Sequence, residues 1–69
     1  MCGIVAYTGT KKARDFLVSG LSALEYRGYD SAGVYIAGSG VFKALGKVSF
    51  LDAKIPKNVS GTSGIAHTR

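Results

Sequence analysis

The clearest chemical signal is Cys2, the only cysteine of the 69-residue chain, which directly follows Met1. Removal of Met1 would leave one residue with both a thiol and a free α-amine. A free thiol has a pKa of about 8.5 and needs a base nearby to form reactive thiolate at neutral pH. An α-amine, with a pKa of roughly 8, is such a base. The position therefore predicts an N-terminal cysteine nucleophile, and the alternative is a small, inert, buried cysteine.

A second polar segment, residues 26–33, lies between a predicted helix and a predicted strand. It carries Arg27 and Asp30 among several glycines. Loops on a rigid scaffold often hold functional groups, which favours a role in a site. The same residues are also explained without a functional site: Arg27 and Asp30 could form a local ion pair, and Gly28 and Gly33 could serve the turn. Both interpretations stay open on these residues alone.

A third polar cluster, His67, Thr68 and Arg69, ends the last predicted strand. The planar guanidinium of an arginine can bind a carboxylate through two parallel hydrogen bonds, which a lysine cannot do equally well. Arg69 is therefore a candidate for carboxylate binding. A solvated surface arginine is the alternative.

The net charge of +5 raises the question of nucleic-acid binding. The lysines are dispersed, and only Lys11 and Lys12 are adjacent, which is typical of a solvated surface. No aromatic RNA-binding motif, arginine-rich run or zinc-ligand spacing accompanies them. We expect no nucleic-acid partner, no metal and no cofactor.

A single cysteine cannot form an intramolecular disulfide, which favours a reducing compartment. The apolar stretch near the N-terminus is too short for a signal peptide, and no run approaches the roughly 20 apolar residues of a membrane span. We therefore expect a cytoplasmic protein without membrane association.

Hydrophobic spacing predicts strand, helix, hairpin, short helix and strand. Apolar residues at spacings of three and four predict a helix over 11–26, capped by Thr10 and ended by Gly28. A second, short helix is predicted with Ser49 as its cap and Pro56 after its end. The predicted strands are residues 3–8, 32–37, 41–45 and 63–68.

This order predicts an α+β fold in which both helices cover one face of a mainly antiparallel sheet. The first and last strands are expected to be neighbours, each with an unpaired outer edge. Because the chain stops directly after a strand, we expect it to be the N-terminal part of something longer.

Residues 1–5, 24–33 and 64–69 have the sequences MCGIV, LEYRGYDSAG and GIAHTR. Together they resemble the N-terminal glutaminase domain of the glutamine:fructose-6-phosphate aminotransferases, over the whole chain. The first segment is shared by the class II glutamine amidotransferases, which use an N-terminal cysteine, and by asparagine synthetases. The second is more specific, because related phosphoribosylpyrophosphate amidotransferases usually have His and Gln at the positions of Tyr26 and Tyr29. Those enzymes are the alternative within the class, and a small basic binding module with an incidental cysteine is the alternative outside it.

The resemblance implies catalytic roles for three residues. Cys2, after loss of Met1, attacks the side-chain amide of glutamine, with its own α-amine as proton acceptor. Arg27 and Gly28 match positions that surround the nucleophile, where a glycine lets the backbone approach closely.

It also implies a substrate-binding role for the C-terminal cluster. Arg69 matches the arginine that binds the α-carboxylate of glutamine, and His67 and Thr68 support it. The released ammonia passes to isomerase domains, which convert fructose 6-phosphate to glucosamine 6-phosphate, and the full-length enzyme is expected to be a homodimer.

The fold that the resemblance implies is the α/β/β/α sandwich of N-terminal nucleophile hydrolases. Residues 1–69 form an incomplete N-terminal piece of its glutamine amidotransferase type 2 domain. The family pattern continues past Arg69 with an Asn-Gly pair that supplies the oxyanion hole. Losing one oxyanion donor costs about 10² to 10³ in rate, so we expect the isolated chain to be inactive.

Overall fold

The computed structural model describes residues 3–25 and 30–69. The predicted order of elements is confirmed within these ranges. The strands are β1 (Gly3–Thr8), β2 (Ser31–Ile36), β3 (Gly40–Leu45) and β4 (Ser63–Thr68), and the helices are α1 (Ala13–Leu24) and α2 (Val48–Lys54).

The four strands form one antiparallel sheet in the order β1-β4-β2-β3. The predicted pairing of the first and last strands is confirmed. The expectation of an unpaired outer edge on the last strand is wrong, because β4 lies between β1 and β2 and bonds to both. The edges of this sheet are β1 and β3.

Both helices pack on the same face of the sheet, as predicted. Helix α1 lies on β1 and β4, and α2 lies on β3. The core between the layers contains side chains that are almost fully buried, among them Leu17, Leu21, Ile36 and Leu51. Alternate residues of each strand point to the other face, which none of the described helices or strands covers and which we call the open face.

The predicted caps of both helices are wrong. The N-cap of α1 is Lys12, and that of α2 is Lys47, and neither side chain makes a capping hydrogen bond. Groups from distant parts of the chain bond the first N–H groups instead. The N–H of Ala13 donates to the carbonyl of Gly61 at 2.9 Å, and the N–H of Val48 donates to the carboxylate of Glu25 at 3.3 Å.

The apolar stripe of α1 is only partly buried. Its residues Ala13, Leu17 and Leu21 are inaccessible to solvent, whereas Phe16 is 50% exposed. Phe16 lies at the margin of the helix layer, where its ring contacts Tyr7 with the centroids 4.6 Å apart. The predicted end of α1 at Gly28 lies outside the described residues.

Arg14 links the two helices from a buried position. Its guanidinium donates to the carboxylate of Asp52 and to the carbonyl oxygens of Asp52 and Ile55, at 3.0 Å and 3.2 Å for the two carbonyls. The C-terminal end of α2 is thereby held against the first turn of α1.

Neither helix is long and apolar enough to cross a membrane.

Candidate functional site

The sheet brings together the described ends of the three sequence motifs. Thr68 is paired with Gly3 on one side and with Ala32 on the other. Gly3 directly follows Cys2 in the sequence, and Ala32 belongs to the LEYRGYDSAG segment. Thr68 therefore meets, at one end of the sheet, residues that lie 65 and 36 positions earlier in the chain.

Backbone hydrogen bonds continue past β4 to Arg69. Its N–H donates to the carbonyl of Ser31 at 2.8 Å, and its own carbonyl accepts from the N–H groups of Ser31 and Asp30. The backbone of Arg69 is thus attached to the point where the second motif enters β2. A fixed backbone limits where the guanidinium can reach, although the side chain itself is exposed.

The C-terminal cluster is divided between the two faces of the sheet. His67 and Arg69 are exposed, and both line the same pocket on the open-face side. Thr68 is only 4% exposed and faces the helices, where its hydroxyl lies close to Gly3. Because successive residues of a strand point to opposite faces, Thr68 cannot share a ligand surface with both of its neighbours.

An open pocket of about 340 Å³ lies beside Arg69. Its lining residues are Ser31, Ala32, Lys43, Ala44, Leu45, Lys54, His67 and Arg69. Among the residues that the structure describes, the lining includes three cationic residues and one histidine, and no acidic residue. A pocket of this charge favours a ligand that carries a carboxylate or another anionic group.

Sequence reasoning missed the two lysines of this region, and it gave Gly33 only a role in the turn, whereas Gly33 lies within β2. Lys43 reaches the pocket from β3, and Lys54 reaches it from α2. The ammonium group of Lys54 donates a hydrogen bond to the carbonyl oxygen of Lys43 at 3.0 Å. Gly33 lies beneath the ring of His67. Alternation along β3 would have placed Lys43 on the open face, but the strand order was needed to bring it near Arg69.

Three of the predicted site residues, Cys2, Arg27 and Gly28, lie outside the described residues. A second pocket, of about 370 Å³, lies at the other end of the sheet beside Tyr7 and Phe16 and contains none of the predicted site residues. Within residues 3–25 and 30–69, no three acidic, histidine or cysteine side chains are grouped so that they could hold a metal ion.

No protein-family model matches the chain. Curated relatives do match, over its whole length. A glutamine–fructose-6-phosphate aminotransferase (isomerizing) of Methanosarcina mazei is 55% identical over 71 residues. Enzymes of the same name from Streptococcus agalactiae and Lactococcus lactis are 51% and 49% identical. The chain is related to the N-terminal part of these enzymes.

The chain spans 12% of the length of these aminotransferases and corresponds to their N-terminal part. The resemblance seen in the sequence motifs is confirmed at the level of the family. All three of these relatives carry the aminotransferase name, and none is named as a phosphoribosylpyrophosphate amidotransferase.

Proposed function

We propose that this chain supplies the nucleophile and the carboxylate-binding arginine of the glutaminase site in a glutamine–fructose-6-phosphate aminotransferase. The supporting observation is the register of β1 with β4, which pairs Gly3 with Thr68. The strand that starts directly after Cys2 therefore lies beside the strand that ends directly before Arg69. One glutamine molecule could contact both residues, with its amide at Cys2 and its carboxylate at Arg69.

The proposed reaction proceeds through a thioester. The sulfur of Cys2 attacks the amide carbon of glutamine, and its proton passes, through a water molecule, to the α-amine. The same amine returns the proton to the leaving nitrogen, so that ammonia departs and a glutamyl thioester remains. Water then hydrolyses the thioester, which releases glutamate and restores the thiol.

Arg69 is the proposed partner of the glutamine α-carboxylate. Arg69 lines a pocket whose described lining residues include no acidic one, which favours the binding of an anionic ligand group there. His67 lines the same pocket. Thr68 supports the site from the helix side of the sheet, and Arg27 and Gly28 complete the surroundings of the nucleophile in this proposal.

The proposal extends to the rest of the enzyme. The apolar open face, with Ile4 and Leu45 each 79% exposed, fits a layer that packs against a second sheet, as in the sandwich of N-terminal nucleophile hydrolases. The ammonia is used to convert fructose 6-phosphate to glucosamine 6-phosphate in other domains of a cytoplasmic homodimer.

The decisive experiment replaces Cys2 by alanine in the aminotransferase that carries this chain. We expect glutamine hydrolysis to fall to background, because no other thiol is present in this segment. Labelling by an electrophilic glutamine analogue should disappear, while circular dichroism stays unchanged. Glutamine hydrolysis by Cys2→Ala at a rate comparable to the parent would refute the assignment.

A further inference from the structure

The imidazole of His67 lies across the backbone of Gly33. The two residues are paired in the register of β2 with β4, and Lys43 is paired with Gly33 on its other side. Gly33 is buried, although its side of the sheet is the open face, where Tyr35 on the same strand is 44% exposed. The histidine ring provides this cover.

The contact depends on the missing side chain of Gly33. A Cβ at this position would lie 2.8 Å from Nε2 of His67 and 3.5 Å from Cδ2 and Cε1 of the same ring. Ordinary contacts between such atoms are about 3.5 to 4.0 Å, so the ring would have to move by roughly 0.7 Å or more. The backbone at Gly33 is not in the left-handed region, so the requirement is for space and not for an unusual conformation.

The same ring forms a wall of the pocket that contains Arg69. The two residues are separated by one position on the end of β4 and line one cavity. A displacement of the ring therefore changes the shape of the pocket beside the guanidinium. Misplacement of a substrate group by about 1 Å can reduce the rate of an enzyme 10²-fold.

We propose that Gly33 is a positioning residue of the glutaminase site, which acts through His67 on the Arg69 pocket. Because Gly33 has no side chain, the imidazole can lie close against the backbone of β2, where it forms part of the wall of the pocket beside Arg69. This inference rests on the proposed binding of glutamine at Arg69 and adds a residue that has no side chain and acts only by leaving space.

The test is a double-mutant cycle in the aminotransferase that carries this chain. We expect Gly33→Ala to raise KM for glutamine about tenfold with a smaller change in kcat, because binding is altered before the chemical step. His67→Ala should raise KM as well. In the double variant the alanine at position 33 meets no ring, so KM should equal that of His67→Ala alone.

Gly9→Ala is a matched control. A Cβ at Gly9 would also collide with an aromatic side chain, that of Tyr7, but at the end of the sheet remote from Arg69. We expect KM for glutamine to stay unchanged in this variant. The signals of the His67 ring in a ¹H–¹³C correlation spectrum should shift in Gly33→Ala and remain in place in Gly9→Ala.

Three outcomes would overturn the inference. The first is that KM for glutamine stays unchanged in Gly33→Ala while Arg69→Lys raises it. The second is that the KM increase of the double variant equals the product of the increases in Gly33→Ala and His67→Ala. If Gly33→Ala alone does not fold, the double variant should fold, and its failure to do so would be the third. An unchanged KM for glutamine in Arg69→Lys would instead contradict the proposed function on which the inference depends, namely the binding of glutamine at Arg69.

Discussion

At the level of single residues, the site combines groups whose positions are set in different ways. Arg69 is held by backbone hydrogen bonds to Ser31, so its Cα is fixed while its guanidinium is free to meet a ligand. His67 is held by its contact with Gly33. Lys43 and Lys54 add positive charge to the pocket and reach it from β3 and α2.

The first prediction at this scale concerns the shape of the Arg69 side chain. Arg69→Lys keeps the charge but loses the two parallel hydrogen bonds to a carboxylate, so KM for glutamine should rise by roughly 10-fold or more with a smaller loss in kcat. Steady-state kinetics with glutamine measures this effect, and synthesis from added free ammonia is the control that should not change. Unchanged kinetics in Arg69→Ala would contradict this prediction and show that Arg69 is a solvated surface residue.

At the level of elements, Arg14 ties α2 to α1. Its guanidinium meets two backbone carbonyls and one carboxylate at the end of α2, in a position where its side chain is 5% exposed. Removing one partner from such a buried arrangement leaves polar groups unsatisfied, which costs about 1 to 3 kcal/mol. Helix α2 packs against β3, the strand that carries Lys43 to the pocket.

We therefore predict that Arg14→Ala loosens α2. Amide hydrogen exchange across Val48–Lys54 should become roughly 30-fold faster, which corresponds to about 2 kcal/mol of local opening free energy. Asp15→Ala is the matched control, because Asp15 also contacts Arg14, at 3.2 Å, but through a carboxylate that is 72% exposed. Exposed ion pairs contribute about 0 to 1 kcal/mol, so exchange in α2 should change little there. Equal effects of the two substitutions would show that the buried bonds to α2 are not what holds it.

At the level of the whole molecule, the sheet has one covered face and one open face. Exposed apolar side chains concentrate on the open face, where Ile4, Val41, Leu45 and Ile65 are between 57% and 79% exposed. The edges β1 and β3 add unpaired backbone groups. Contiguous apolar surface and free strand edges are the features that promote association.

We expect the 69-residue chain on its own to self-associate, with concentration-dependent light scattering, weak amide protection and no glutaminase activity. Leu45→Lys should reduce the scattering, because it places a charge on the open face. Phe50→Lys is the control, since Phe50 is 57% exposed but belongs to α2 on the opposite side. A monomer with a sharp, reversible melting transition that is independent of concentration would contradict this prediction.

Local patterns in the sequence determined the kinds of elements and their order. Alternation and helical spacing are properties of neighbouring residues, so they located β1, α1, the hairpin of β2 with β3, and β4 without knowledge of the fold. The same local reading singled out Cys2 and Arg69 from their residue types and positions. Resemblance between motifs then indicated the family, which the relatives confirm.

The tertiary structure alone decided which distant residues meet. The sequence around Thr68 does not indicate that Gly3 and Ala32 lie on either side of it. Strand order depends on which faces of the whole sheet are buried. For the same reason the caps of both helices were mispredicted, since Gly61 and Glu25 reach them from distant parts of the chain. The space that Gly33 leaves for His67 is likewise a property of the paired strands, so it could be seen only once the register was known.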